Sequence, residues 1–504
     1  MNVAMIVHNA VSHDARVIKE AETLSQHGHN VEIHGISPNG EKEQFTLPGS
    51  GLRVFLYDWK IPATAKTTAQ LITTGRVVTL LMVAVTSAIA AFVTTVVSSI
   101  IPAINAWLPF FVLFFGFFAT LVLLNLFPAR AQRVWAQTHR TIANAVDDIA
   151  NTVVRIVKSA YGLLRTAKSK PQEVRQSEEH IRNQRFKLIA DALFEGVASR
   201  GAPDVVHVHD HVALMAAKHF KTVPRIRIVW DAHEIYEDLA SSDLERAEAN
   251  ALIVADNEKF VDGFITINES IARFYAERYP KLPSAHVVMN ASRPMELPEY
   301  DYRLHDAANL PRERKILLFQ GGFGPKRGLQ ELVRAAAKLD TQWSIVLMGW
   351  GNLESELREI AAAQECEGGK DRVVFIPGVP QQELLEWTRG ASLGAILYED
   401  IGLNHRFCTP NKLWEYPVAG VPILCTNLVE MAKIIETYKV GFLLPREFDA
   451  SDIANCVKEI TDDALVTAQN NCGQFIAVNN WDTYSGKLLA LYDNFAAQVE
   501  RTSV

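Results

Sequence analysis

The chain has 504 residues, 48% of them hydrophobic and 21% charged, with a formal net charge of -7. That length exceeds one ordinary core and implies two or three domains. The acidic balance excludes a surface built as a whole for nucleic acid. Five scattered cysteines with no CxxC pair argue against a disulfide or zinc framework and point to a reducing compartment.

In chain order, "NVAMIVH" reads as a buried strand, and its start, "MNVAMIVHNA", lacks the basic region and cleavage site of a signal peptide. Ser12 is placed to cap the helix "HDARVIKEAETLSQHGH", and Gly28 to stop it. "NVEIHGI" is the next strand.

Two charge-free runs follow, Val77–Ile101 and Trp107–Phe127, separated by "PAINA". Each exceeds the roughly 20 helical residues a bilayer core requires. Lys60, Lys66 and Arg76 precede the pair and Arg130, Arg133 and Arg140 follow it. Basic flanks on both outer ends put both ends in the cytoplasm. The length and lack of charge favour a membrane hairpin over a buried soluble one, and a re-entrant hairpin is a further form. Residues 129–190 then carry twelve Lys/Arg against five Asp/Glu. Val134, Ile142, Val146, Ile149, Val153, Ile156 and Leu163 recur at helical spacing there. This suits an amphipathic helix on an anionic membrane or a solvated helix packed on protein. "KSKPQE" breaks the pattern before a second polar helix.

Beyond the insert, "DVVHVH", "RIRIVWDAH" and "GFITIN" are short apolar strands with polar turns. A second set begins near Lys315: "KILLFQGG", "SIVLMGWG", "VVFIPGV", "LGAILYE", "VPILCT" and "GFLLP". Together they predict an α/β chain with parallel, doubly wound sheets, whose ligands bind at strand carboxyl ends.

Three stretches at such ends carry chemistry. "DVVHVHDH" alternates His207, His209 and His211, a spacing that can set three rings on one strand face, as a metal needs. It is one residue short of the zinc-hydrolase pattern HxHxDH, and no second histidine cluster of fitting spacing accompanies it. Asp210 reads as a turn or cap residue. "FQGGFGPKRGLQELV" joins Gly321 and Gly322 to Lys326, Arg327 and a helix start near Leu329, which suits an anion. It is neither a Walker loop nor GxGxxG, and glycine turns before helices also arise for geometry alone. "CTPNKLWEYPVAGVPILCT" offers Asn411 and Lys412 as donors near a helix start, with Glu415 one turn on as an acceptor for ribose hydroxyls. Its structural alternative is a capped helix with a first-turn glutamate.

"GHNVEI", "DVVHVHDH", "WDAHE", "TINESIA", "GGFGPKRGL", "LMGWG", "PNKLWEYPVAGVPIL" and "VGFLL" stand in the order found in glycosyltransferase family 4. The chain resembles that family over nearly its whole length outside the insert. The resemblance implies a GT-B fold of two Rossmann-like domains facing a cleft, retention of anomeric configuration, no metal and no cofactor. The nucleotide diphosphate sugar is a donor substrate. It implies an N-terminal Rossmann-like domain at 1–59 and 186–300 and a donor-binding domain at 301–478. An insert at 60–185 holds the hairpin at about 77–127. The helix "WDTYSGKLLALYDNF", within 479–504, returns to the N-terminal domain.

Residue by residue, the resemblance makes His209 the active-site histidine and Glu415 the ribose-binding glutamate, both catalytic. Gly321, Gly322, Lys326, Arg327, Asn411 and Lys412 join Glu415 in binding the donor. His13, Asp14 and His233 orient sugar or acceptor. Two positions depart from the pattern: Phe407 replaces the first glutamate of the family pair, and Gly322 replaces an arginine.

The function implied is sugar transfer to a lipid-linked acceptor at the cytoplasmic face of the plasma or inner membrane, in cell-surface polysaccharide or glycolipid synthesis. Membrane anchoring raises the effective concentration of such an acceptor. The rivals are a membrane-anchored scaffold with a degenerate transferase domain, a GT-B epimerase or hydrolase, and a zinc hydrolase.

Overall fold

The computed structural model describes residues 1–12, 14–59, 172–240, 243–364 and 372–502. Met1–Lys60 and Gln184–Val504 form one compact unit, and Ile61–Asn183 a second. The apolar runs 77–101 and 107–127, the amphipathic pattern from Val134 to Leu163, and His13 lie outside the described residues. Among the described residues no helix is long and apolar enough to cross a membrane. After Pro171 a helix runs from Gln172 to Ala198.

The first sheet holds β1 (Asn2–Ile6), β2 (Asn30–Ile36), β3 (Glu43–Thr46), β4 (Arg53–Tyr57), β5 (Val205–His209), β6 (Arg227–Ala232), β7 (Gly263–Thr266) and β8 (Ala285–Val287). Their order is β3-β4-β2-β1-β5-β6-β7-β8, parallel throughout except where β3 meets β4. The second sheet holds β9 (Lys315–Gly322), β10 (Trp343–Trp350), β11 (Val373–Ile376), β12 (Leu393–Ile396), β13 (Ile423–Thr426) and β14 (Gly441–Leu444). It is parallel, in the order β11-β10-β9-β12-β13-β14.

The strands are continuous apolar runs because helices cover both faces of each sheet. In β1, Ala4 and Ile6 enter one core with Val206 and Val208, while Val3 and Met5 enter another with Val31 and Ile33. In β9, Ile316 and Leu318 face one core and Leu317 and Phe319 the other. Each fully buried aliphatic side chain of this kind contributes on the order of 1.5–3 kcal/mol. The strands β3, β4 and β8 lie outside the sequence expectation. β3 is mostly exposed, so it has no apolar run, and β8 is three residues long.

Each sheet reverses its direction of winding at one point. In the first sheet β2 and β5 flank β1; in the second β10 and β12 flank β9. Strand order opens a crevice at the carboxyl end of each such pair. The loop after β1 enters the helix Ala15–Gln26, whose cap is Asp14 and not Ser12. Val11 takes a left-handed φ of 67°, and the Asp14 amide bonds the Val11 carbonyl, which brings the Asp14 carboxylate to the Val17 amide. Gly28, at φ 89°, follows the end of that helix.

The helix Trp481–Thr502 buries Trp481, Leu488, Leu491, Tyr492 and Phe495 in the core that contains Val3 and Met5 of β1. The Trp481 indole N–H donates to Thr23 Oγ1 at 2.9 Å. The chain's last helix is thereby part of its first sheet's core.

Candidate active site

At the carboxyl end of β9 a cavity of about 370 Å³ is lined by Gln320, Gly321, Arg327, Asn411, Lys412 and Glu415, among others. Gly321 has a φ of 114°, and a Cβ there would sit 3.4 Å from Lys412 Nζ, so glycine leaves the ammonium room. Arg327 Nη1 donates to the Gly322 carbonyl at 2.9 Å, which fixes the guanidinium beside that glycine. Burial holds the Lys412 ammonium below its ordinary pKa, with Glu415 pulling the other way. The helix Lys412–Val418 places Glu415 so that its Oε2 accepts from Gln320 Nε2 at 2.9 Å. Gln320 Oε1 in turn accepts from Thr388 Oγ1 at 2.7 Å, so a chain of two hydrogen bonds holds the carboxylate. Two cations, a carboxylate and glycine backbone thus meet at one strand end.

Lys326 and Phe407 stand elsewhere. Lys326 has a φ of 65°, is half exposed, and pairs its ammonium with Glu399 at 3.1 Å. It does not line the cavity, so Arg327 and Lys412 carry its positive charge. Phe407 packs against the core of the first sheet, and its carbonyl accepts from Asn268 Nδ2 at 2.8 Å. The side chain at this position therefore makes an apolar contact with the first sheet's core.

A second cavity, of about 510 Å³, lies at the carboxyl end of β1. The loop after β1 contributes Asn9, Ser12, Asp14 and Arg16, and the other wall includes His233, Asn290 and Asn411. Asn411 lines both cavities. Its Oδ1 accepts from Asn290 Nδ2 at 2.9 Å, which ties the two walls together.

Beneath this second cavity lies a charged network. Arg16 is buried and donates from Nε and Nη2 to the two oxygens of Asp231, at 2.7 and 2.9 Å, and from Nη1 to the Val288 carbonyl. Its Nη2 also stands 3.0 Å from Glu20, one helical turn on. Burial raises the Glu20 carboxyl to about 7 against the pull of Arg16. Burial also works against the Asp231 charge, but Arg16 and His233 outweigh it and hold that carboxylate well below its usual range. His233 sits between Asp231, 3.0 Å from Nε2, and Asp210, 3.4 Å from Nδ1. Burial disfavours its charge, yet those two carboxylates push its pKa up to about 9. With a carboxylate at each nitrogen the ring is a fixed imidazolium, suited to electrostatic stabilisation and not to taking a proton.

His209 is fully buried and does not line either cavity. Its Nδ1 lies 3.4 Å from Asp231 Oδ2, and its ring stacks on His207 at a centroid distance of 4.6 Å. His207 accepts or donates with Tyr492 through Nδ1 at 2.9 Å, and burial together with His209 keeps it neutral. His211 leaves this face altogether: β5 ends at His209, and the His211 ring stacks on Tyr236 at 4.3 Å. Asp210 accepts from Tyr236 Oη at 2.8 Å.

Among the described residues, Glu20, His207, His209 and Asp231 bring ligand atoms within 4.8 Å of one another, the grouping a metal would use. Arg16 already supplies that space with a cation and bonds both oxygens of Asp231. A metal ion would meet the positive charge of Arg16 already paired with Asp231, so these residues fit a self-neutralised network better than a metal centre.

Arg16, Glu20 and Asp231 are absent from the sequence expectation. Arg16 and Glu20 share a helix face at i, i+4, and Asp231 and His233 are two residues apart at a strand end, as His207 and His209 are. Those spacings are visible in the sequence; their convergence is not.

With this geometry in place, comparison gives a class. Residues 314–463 match the model of Glycosyl transferases group 1. The chain is a glycosyltransferase. Among solved structures it is similar to a sucrose-phosphate synthase from Thermosynechococcus elongatus, at 15% identity and a TM-score of 0.61, over 99% of this chain and 100% of that one. It is also similar to an α,α-trehalose 6-phosphate synthase from Burkholderia multivorans, at 10% identity and a TM-score of 0.58, over 99% of each chain. Anabaena HepE, solved in complex with UDP-glucose, matches at 15% identity and a TM-score of 0.50, over 60% of this chain and 82% of that one. At such identities the likeness establishes the fold, which is GT-B-like with parallel sheets. No curated protein matches the chain.

Proposed function

We propose that the protein is a retaining glycosyltransferase of family 4. It takes a nucleotide diphosphate sugar as donor and a lipid-linked acceptor at the cytoplasmic face of a membrane. The observation that carries the donor reading is the meeting of Arg327 and Lys412 over Gly321, with Glu415 held by Gln320, in one cavity. The two cations face the departing diphosphate, where negative charge develops, and Glu415 accepts from the ribose hydroxyls. A neutralising ligand also suits the desolvated Lys412. The UDP-glucose in the HepE structure supports a donor of this class.

In this reading the sugar reaches from the β9 cavity past Asn411 into the β1 cavity, where Asp14 and His233 orient it and the acceptor. The acceptor hydroxyl attacks from the face the diphosphate leaves, which retains configuration. His209 acts through Asp231 on His233. The domain boundaries follow the family: 1–59 with 186–300, 301–478, and the returning helix in 479–504. The insert at 60–185, with its charge-free runs, anchors the enzyme and supports the lipid acceptor.

The test is transfer of radiolabelled sugar from a panel of nucleotide diphosphate sugars to membrane lipid extract by the purified full chain. Labelled lipid, lost on substituting Glu415 and Lys412, supports the reading. Turnover unchanged in the Glu415→Ala, Lys412→Ala double variant sinks the site assignment. Free sugar as the sole product turns the reading towards a hydrolase.

A further inference from the structure

Trp350 ends β10 and is 66% exposed. An indole carries a large apolar face, and most such rings are largely buried. This one lines the β9 cavity, with Gly378, Val379, Gln381 and Leu384 beside it. Its six-membered ring rests on Gly378, where a Cβ would lie 2.1 Å from Cζ3 and 2.2 Å from Cε3. Trp350 is therefore held in place while much of its surface is open.

The register of the sheet sets this surface beside the anion-binding end. Trp350 pairs with Gly322 across β9 and β10. Adjacent strands are roughly 5 Å apart, and the Gly322 carbonyl is the one Arg327 holds. An open aromatic face thus stands one strand away from two cations. The molecule that matches both has a diphosphate at one end and a flat aromatic ring at the other.

We infer that Trp350 is the stacking platform for the nucleobase of the donor, and that Gly378 is the positioning residue that seats it. The inference rests on the donor reading above and adds the residue that recognises the base. Every base has a π-face, so stacking supplies affinity for a nucleoside without choosing which one.

Calorimetric titration of the full chain with uridine, guanosine and adenosine diphosphates and with pyrophosphate separates the two ends. In the wild type at least one nucleoside diphosphate binds more tightly than pyrophosphate. Trp350→Ala weakens that binding roughly 10- to 100-fold and leaves pyrophosphate affinity unchanged. Trp350→Phe retains most of the affinity, and Gly378→Ala loses part of it by taking away the seat. Thermal unfolding confirms that the exposed ring is dispensable for folding. If Trp350→Ala binds nucleoside diphosphates as the wild type does, or loses pyrophosphate to the same degree, the platform is overturned. A wild-type chain that binds pyrophosphate as tightly as every nucleoside diphosphate overturns the platform and leaves the anion site standing. A wild-type chain that binds none of the four probes removes the donor reading itself, and this inference with it.

Discussion

At the carboxyl end of β9, Arg327, Lys412 and Glu415 face open space, whereas at the ends of β5 and β6, His209 and Asp231 are closed over by protein together with Arg16 and Glu20. Both sets sit where a doubly wound sheet gathers its polar residues. They differ in what neutralises them. Arg16, Asp231, Glu20 and His233 lie in ion-pair contact with one another, so the first sheet's charges brace a wall. The second sheet leaves Lys412 desolvated with Glu415 as a partial counter-charge. Position at a strand end marks where chemistry can occur; the balance of charge distinguishes a binding site from a brace.

The sharpest way to break this comparison is Asp231→Ala. It leaves Arg16 buried without its bidentate partner and is expected to cost about 3–5 kcal/mol of stability. Chemical denaturation measures it, and an unchanged midpoint means that Asp231 does not brace the wall.

Next in size is His233→Ala, because Arg16 keeps its partner there. The His233 pKa is raised from 6.5 to about 9 in the folded chain. Its contribution is fully present below pH 6.5 and is lost as pH rises through about 9. The stability gap between wild type and His233→Ala therefore narrows across that window. A gap that widens with rising pH contradicts the imidazolium assignment.

Lys412→Ala should leave thermal unfolding unchanged or slightly improved, since it removes a desolvated charge. It should weaken nucleoside diphosphate binding roughly 10- to 100-fold, as befits a charged hydrogen bond of about 1.5–3 kcal/mol. A large loss of stability instead would make Lys412 a structural residue like Arg16.

The smallest effect is expected at Phe407. Phe407→Glu restores the carboxylate that the family pattern has here. The side chain packs on the first sheet's core, so the change should cost about 1–3 kcal/mol and bring no gain in turnover. Improved turnover with intact stability would mean that the new carboxylate reaches the donor.

Much of the fold was legible because a strand buried on both faces must be an unbroken apolar run. "KILLFQ" and "SIVLM" are such runs, and β9 and β10 are the result. Edge strands escape that logic: β3 has an exposed face and needs few apolar residues. In the site, Arg327, Lys412 and Glu415 were legible because one glycine loop and one helix start carry them within short stretches of chain. The role of the histidines was not. "DVVHVHDH" shows alternation, but only tertiary contact sends His209 down to Asp231, sends His211 to Tyr236, and leaves His233 on the cavity wall.

The sequence by itself determined two parallel sheets, the strand ends where charges gather, and a glycine-rich loop with basic residues at one of them, because periodicity and glycine placement act locally along the chain. The tertiary structure decided which charges are spent on one another. That depends on Arg16 meeting Asp231 across 215 positions. Electrostatic pairing follows distance in space and not in sequence, so a buried brace and an open site with the same residue types become distinct only in the folded chain.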